Sequence, residues 1–219
     1  VKDRNEDIDL NFDGDTTDPP IEPGNNRFFA GDYVTAVICF TVGTRVLTPA
    51  GERAIETLGV GDLVWTLDHG PQAVRWVGRR RMPALGAFAP VHIEAGALGN
   101  VRRMEVSQNH RMLRSGAAIE LLFGTSEVLV PAKFLVNGRD ITLRDGGWVE
   151  YVHVLFDRHE LIWADGIPSE SLRPGGVPGA EASAMELARI FPDLVDPEAA
   201  GAHVARRCLR RFEADLLDG

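Results

Sequence analysis

The 219-residue sequence has two cysteines, two tyrosines and only 7% aromatic residues. With Cys39 and Cys208 separated by 169 positions, it lacks the cysteine density of a small stapled scaffold, and a disulfide framework is excluded. No apolar run approaches the roughly 20 residues that a membrane-spanning helix needs, so no membrane span is expected. The first residues, "VKDRNEDIDL", are charged and do not form a secretory signal. The chain opens on Val1, so a larger precursor is expected. Positive charge is scarce too: the formal net charge is -9, and residues 1 to 38 hold nine acidic against three basic side chains. The one basic cluster, "RWVGRRR" at 75 to 81, reads as a solvated hairpin edge, and nucleic acid is not expected as a partner.

What is present is a 44% hydrophobic composition, enough to bury one good-sized core. Residues 1 to 30 are rich in Asp, Asn, Pro and Gly and read as a linker or extended arm. From about Asp32 to Pro168, short runs of β-branched and aromatic residues alternate with turn signals such as "TPAGE", "LDHGPQ" and "VNGRD". An all-β domain is predicted. Hairpins are expected around Pro49-Ala50-Gly51 and within "GDLVWTLDHGPQAVRWVGRR". Beyond "SLRPGGVPGA" the apolar period lengthens to three or four, predicting amphipathic helices over "EASAMELARIF" and "GAHVARRCLRRFEADLL", with Cys208 as a small buried hydrophobe.

Three blocks carry chemistry. Cys39 heads the strand-turn-strand run "CFTVGTRVLTPAGERAIETLGVGDLVW". "VSQNHR" places Ser107 and His110 three residues apart, and "EYVHVLFDRHELIWADG" adds His153, Asp157 and His159. A thiol, an imidazole and orienting polar groups on a β scaffold are the ingredients of thiol-based acyl transfer. For His153 and His159 a structural hairpin, with Asp157 capping its turn, is an equal alternative. His69 and His92 are read as surface or core residues. No tight ligand spacing such as C-x-x-C or H-E-x-x-H is present, so neither a metal site nor a cofactor is expected. "DLNFDGDTTD" at 9 to 18 matches the first half of a calcium loop, but Pro20 stands where the bidentate Glu belongs. A solvated acidic linker is the favoured reading there, with calcium as the second.

In their order, the three blocks over residues 39 to 172 resemble the Hint (hedgehog/intein) family, specifically the bacterial intein-like Hint domains of large secreted or surface proteins. The resemblance implies a horseshoe-like fold of two pseudo-symmetric halves. It also implies a division into an acidic flanking segment (1–38), a Hint autoprocessing domain (39–172) and a helical tail (173–219). Cys39 would attack the Ile38–Cys39 peptide bond and give a thioester. His110 would protonate the leaving nitrogen, Ser107 or nearby N–H groups would hold the scissile peptide, and His153 would be an auxiliary polar group. Splicing inteins end in His-Asn before a nucleophile, whereas Glu170 and Ser171 occupy those places here. Neither can form a succinimide, so N-terminal cleavage without splicing is implied. The substrate is then the chain's own flanking segment, and water or an unidentified small or protein nucleophile is the acceptor. A monomer is expected. The alternative is a catalytically silent Hint-fold spacer or binding module.

Overall fold

The computed structural model describes residues 38 to 172 and 204 to 218. The acidic arm with its calcium-like motif, and the helix expected over "EASAMELARIF", lie outside the described residues. Fifteen short strands dominate the described residues. They are β1 (Phe40–Thr41), β2 (Arg45–Thr48), β3 (Gly51–Ala54), β4 (Leu63–Thr66), β5 (Gly70–Ala73), β6 (Trp76–Pro83), β7 (Val91–Ile93) and β8 (Met104–Val106). There follow β9 (Arg111–Ser115), β10 (Glu127–Pro131), β11 (Ile141–Leu143), β12 (Trp148–Leu155), β13 (Leu161–Ala164), β14 (Ile167–Glu170) and β15 (Arg207–Cys208). Among the described residues there are two short α-helices, α1 (Ala117–Phe123) and α2 (Arg211–Ala214), in a mostly β structure.

The strands form two sheets. One has the order β11-β7-β8-β1-β12-β6, and the other β15-β10-β9-β14-β13-β2-β3, with β4 and β5 attached through β13. Both expected hairpins form, β2 with β3 and β4 with β5. Alternation along the strands delivers one side of each pleat to a shared core that includes Phe40, Val46, Val64, Val106, Met112, Val152 and Ile162. Val64 and Val74 are fully buried.

The segment expected as a helix over 201 to 217 differs. Arg207 and Cys208 form a strand parallel to β10, and helix begins only at Arg211. Arg207 and Cys208 pair with Val128 and Leu129, and Leu209 and Ala214 enter a cluster with Ile119, Val128 and Val130. Tertiary pairing with an available sheet edge overrides the local helical period there. Cys208 is half-buried rather than buried, and neither cysteine forms a disulfide.

Candidate active site

Strand register builds the site. Phe40 pairs with Val106 on one side and Val152 on the other, so in the two antiparallel ladders the residue before it, Cys39, falls opposite Ser107 and His153. The contacts agree. The Ser107 main-chain N–H donates to the Cys39 carbonyl at 2.9 Å, and the Cys39 N–H donates to Ser107 Oγ at 3.0 Å. His153 Nδ1 lies 2.8 Å from the Ile38 carbonyl oxygen. That oxygen can only accept, so Nδ1 carries the proton and donates. The Ile38–Cys39 peptide is thus held at its carbonyl by one side chain and at its N–H by another.

The three-residue spacing of Ser107 and His110 also has a geometric reason. His110 N–H donates to the Ser107 carbonyl at 3.0 Å, closing a turn that folds the imidazole back toward the chain entering at Cys39. The turn is pinned from behind, because Ala132 N–H donates to the His110 carbonyl at 2.8 Å and Lys133 N–H to the Gln108 carbonyl at 2.9 Å. Gln108 Nε2 donates to the Gly86 and Ala89 carbonyls. The His110 ring meets the Phe40 ring edge-on at a centroid distance of 4.3 Å.

Burial governs the electrostatics. His110 is 0% and Cys39 4% exposed. Burial drives the His110 imidazole down to about 3, helped by the nearby His153 and Arg111; the Cys39 main chain acts weakly in the opposite sense. It does so without reaching hydrogen-bond geometry, since neither His110 ring nitrogen has a hydrogen-bond partner among the described residues. Burial likewise lowers His153 to about 4, opposed by its bond to Ile38. The Cys39 thiol is pushed well up by burial, and a hydrogen bond with the Ser107 hydroxyl pulls the other way. At neutral pH the resting centre therefore holds a thiol and two neutral imidazoles.

Cys39, Ser107, His110 and His153 are brought together, with Tyr151 beside them. Tyr151 is two residues from His153 on β12, and burial raises its phenol, which donates to the Phe88 carbonyl at 2.9 Å. His159 binds the buried carboxylate of Glu170 and is close enough to His110 to lower its imidazole slightly further. Asp157 pairs with Arg75 at the surface, His69 with Glu160, and His92 with Glu94 and Glu105. The sequence singles out His159 and Glu170 separately, and nothing in it shows that they meet Arg111 in one buried cluster. Among the described residues, no group of three or more His, Cys, Asp or Glu side chains is placed to hold a metal ion. No described helix is long and apolar enough to cross a membrane.

An all-β domain whose own entering peptide lies in its buried polar centre has the organisation of a self-processing domain. The Hint domain family model matches residues 38 to 176, and the chain belongs to that family. Warthog protein 1 of Caenorhabditis elegans is 38% identical over 63 residues, a match spanning 27% of this chain and 13% of that protein. A bacterial intein-like domain from Clostridium thermocellum is similar at 16% identity and a TM-score of 0.44, covering 61% of this chain and 98% of that one. A DnaB intein from Synechocystis gives 13% identity and a TM-score of 0.40 over 62% and 99% of the two chains.

Proposed function

We propose that the domain cleaves its own Ile38–Cys39 peptide bond through a thioester and does not splice. One observation carries this reading: the grip on that peptide, His153 on its carbonyl at 2.8 Å and Ser107 on its N–H at 3.0 Å.

In the proposed step, neutral His110 takes the Cys39 thiol proton as Sγ attacks the Ile38 carbonyl carbon. Charge develops on the Ile38 oxygen, where the His153 Nδ1–H already donates; a single such donor contributes about 10²–10³-fold. The protonated His110 then returns its proton to the Cys39 nitrogen as the C–N bond breaks. The product is an Ile38 thioester on Cys39 Sγ, with the Cys39 α-amine free. Water or another nucleophile then attacks the thioester, releasing residues 1 to 38 and restoring the thiol. The imidazolium formed mid-step in an apolar site is a strong acid, which suits it to protonate a poor leaving group. Splicing is not part of the reading, because Glu170 is committed to a buried ion pair with Arg111 and Ser171 Oγ accepts from Glu160 N–H.

The competing reading, a silent Hint-fold spacer, is favoured by the depth at which the thiol is buried and held protonated. Mass spectrometry of the purified chain with dithiothreitol separates the two. Thiol-dependent loss of residues 1 to 38 is expected for cleavage, and an unchanged mass for the spacer.

A further inference from the structure

Behind the cleavage centre runs a buried polar chain that the reaction above does not use. Glu170 is 0% exposed. Its Oε1 accepts the main-chain N–H of Arg111, the residue after His110, at 2.6 Å, and its Oε2 accepts from the Arg111 guanidinium at 3.2 Å. Oε2 also lies 3.1 Å from His159 Nε2. On the far side of that ring, Nδ1 accepts the N–H of Ala205 at 3.1 Å. Because Nδ1 accepts, the proton sits on Nε2, and the ring donates to Glu170.

Ala205 lies in the described C-terminal stretch 204–218, which is fastened by further contacts on either side of Cys208. Next along the chain, Arg206 reaches Glu127 through Nε at 2.6 Å and Asp68 through both terminal nitrogens at 3.0 and 2.6 Å. Past it, Leu209 N–H donates to the Leu129 carbonyl at 2.8 Å, and the Leu209 side chain is buried. A buried carboxylate is costly unless every oxygen is satisfied, and one of the groups satisfying Glu170 is itself oriented by this segment.

We infer that Glu170 and His159 are positioning residues through which the docked segment 204–218 sets the placement of His110. This rests on the cleavage reading for its effect on rate. The path is continuous: Ala205 N–H to His159, His159 to Glu170, and Glu170 to the peptide N–H adjoining His110. Removing the segment would leave Nδ1 of a buried ring without its donor and free the ring to turn away from Glu170. The segment therefore acts in cis as a clamp on the site.

The test uses the full chain and four forms: unmodified, Arg206→Ala, Glu170→Gln and the double variant. Release of residues 1 to 38 is followed by mass spectrometry. Amide hydrogen exchange of residues 107 to 113 is followed in a Cys39→Ala background, which keeps the chain intact. Arg206→Ala should slow release about tenfold, within the usual range for coupled sites. Glu170→Gln should slow it about 10²-fold, as misplacement of a catalytic group does. The double variant should be no slower than Glu170→Gln alone. The Arg111 amide should exchange faster in Arg206→Ala while β6 and β12 are unchanged. Effects on rate that multiply, exchange that rises throughout the domain, or an Arg206→Ala chain unaltered in both readouts would overturn the clamp. If the unmodified chain does not cleave, faster Arg111 exchange in Arg206→Ala leaves the clamp standing while the cleavage reading falls, and unchanged exchange removes both.

Discussion

At the residue scale, the scissile peptide is held by groups that fail in different ways when removed. His153→Ala deletes the donor on the Ile38 oxygen, and thioester formation should slow by about 10²–10³-fold. His110→Ala leaves thiol and oxyanion donor in place but removes the proton carrier, and the rate should fall by about 10²–10⁴-fold without vanishing. Rates of thiol-induced release measure both. The two imidazoles also make acid destabilising. Their folded values of about 3 and about 4 lie below the ordinary histidine value, so the unfolded chain binds more protons. Their contribution is complete above about pH 6.5 and is lost as pH falls toward the folded values. Between about pH 6 and 5, unfolding free energy should drop by up to about 2.7 kcal/mol per pH unit for the pair, since each group contributes about 1.4. Urea titrations of a Cys39→Ala chain read this, and His153→Gln should remove about half of the slope.

Elements deliver these side chains through register. Cys39, Ser107 and His110 were legible from sequence because a thiol at the head of a β region and a Ser-x-x-His turn are local patterns, and His153 followed from the order of the blocks. Their burial was not legible. It comes from β1 lying between β8 and β12 with Phe40 sealed beneath, a pairing of strands more than 60 residues apart. The Glu170 cluster was hidden for the same reason, since its members come from β9, the β12–β13 connection, β14 and the C-terminal segment. Arg207 and Cys208 misled because their neighbours have helical spacing, and only the edge of β10 makes them a strand. The turn between β13 and β14 places Glu170. Asp165 and Gly166 both have positive φ, 46° and 89°, the conformation of a tight two-residue hairpin that favours Asp-Gly. A Cβ on Gly166 would stand 2.8 Å from Val101 Cγ1 as well as in a strained conformation. Gly166→Ala should therefore cost about 1–3 kcal/mol in denaturant unfolding.

For the whole molecule, the acidic excess of residues 1 to 38 precedes the proposed cleavage point, so release would separate most of the net negative charge from the β domain. No product joining residues 1 to 38 to the C-terminal segment should form, because nothing at Glu170 or Ser171 can cyclise to break the chain there. Observation of such a ligated species by mass spectrometry would refute that part of the account. The central claim is that Cys39 attacks the bond before it, and it is tested most directly by timed mass spectra of the purified chain between pH 6 and 9. Unmodified and Cys39→Ala forms are compared, with and without dithiothreitol or hydroxylamine. The account predicts release of residues 1 to 38 from the unmodified chain, accelerated by either reagent because both intercept a thioester, and no release from Cys39→Ala. Equal release from the two forms, or none from the unmodified chain at any of these pH values, would contradict it.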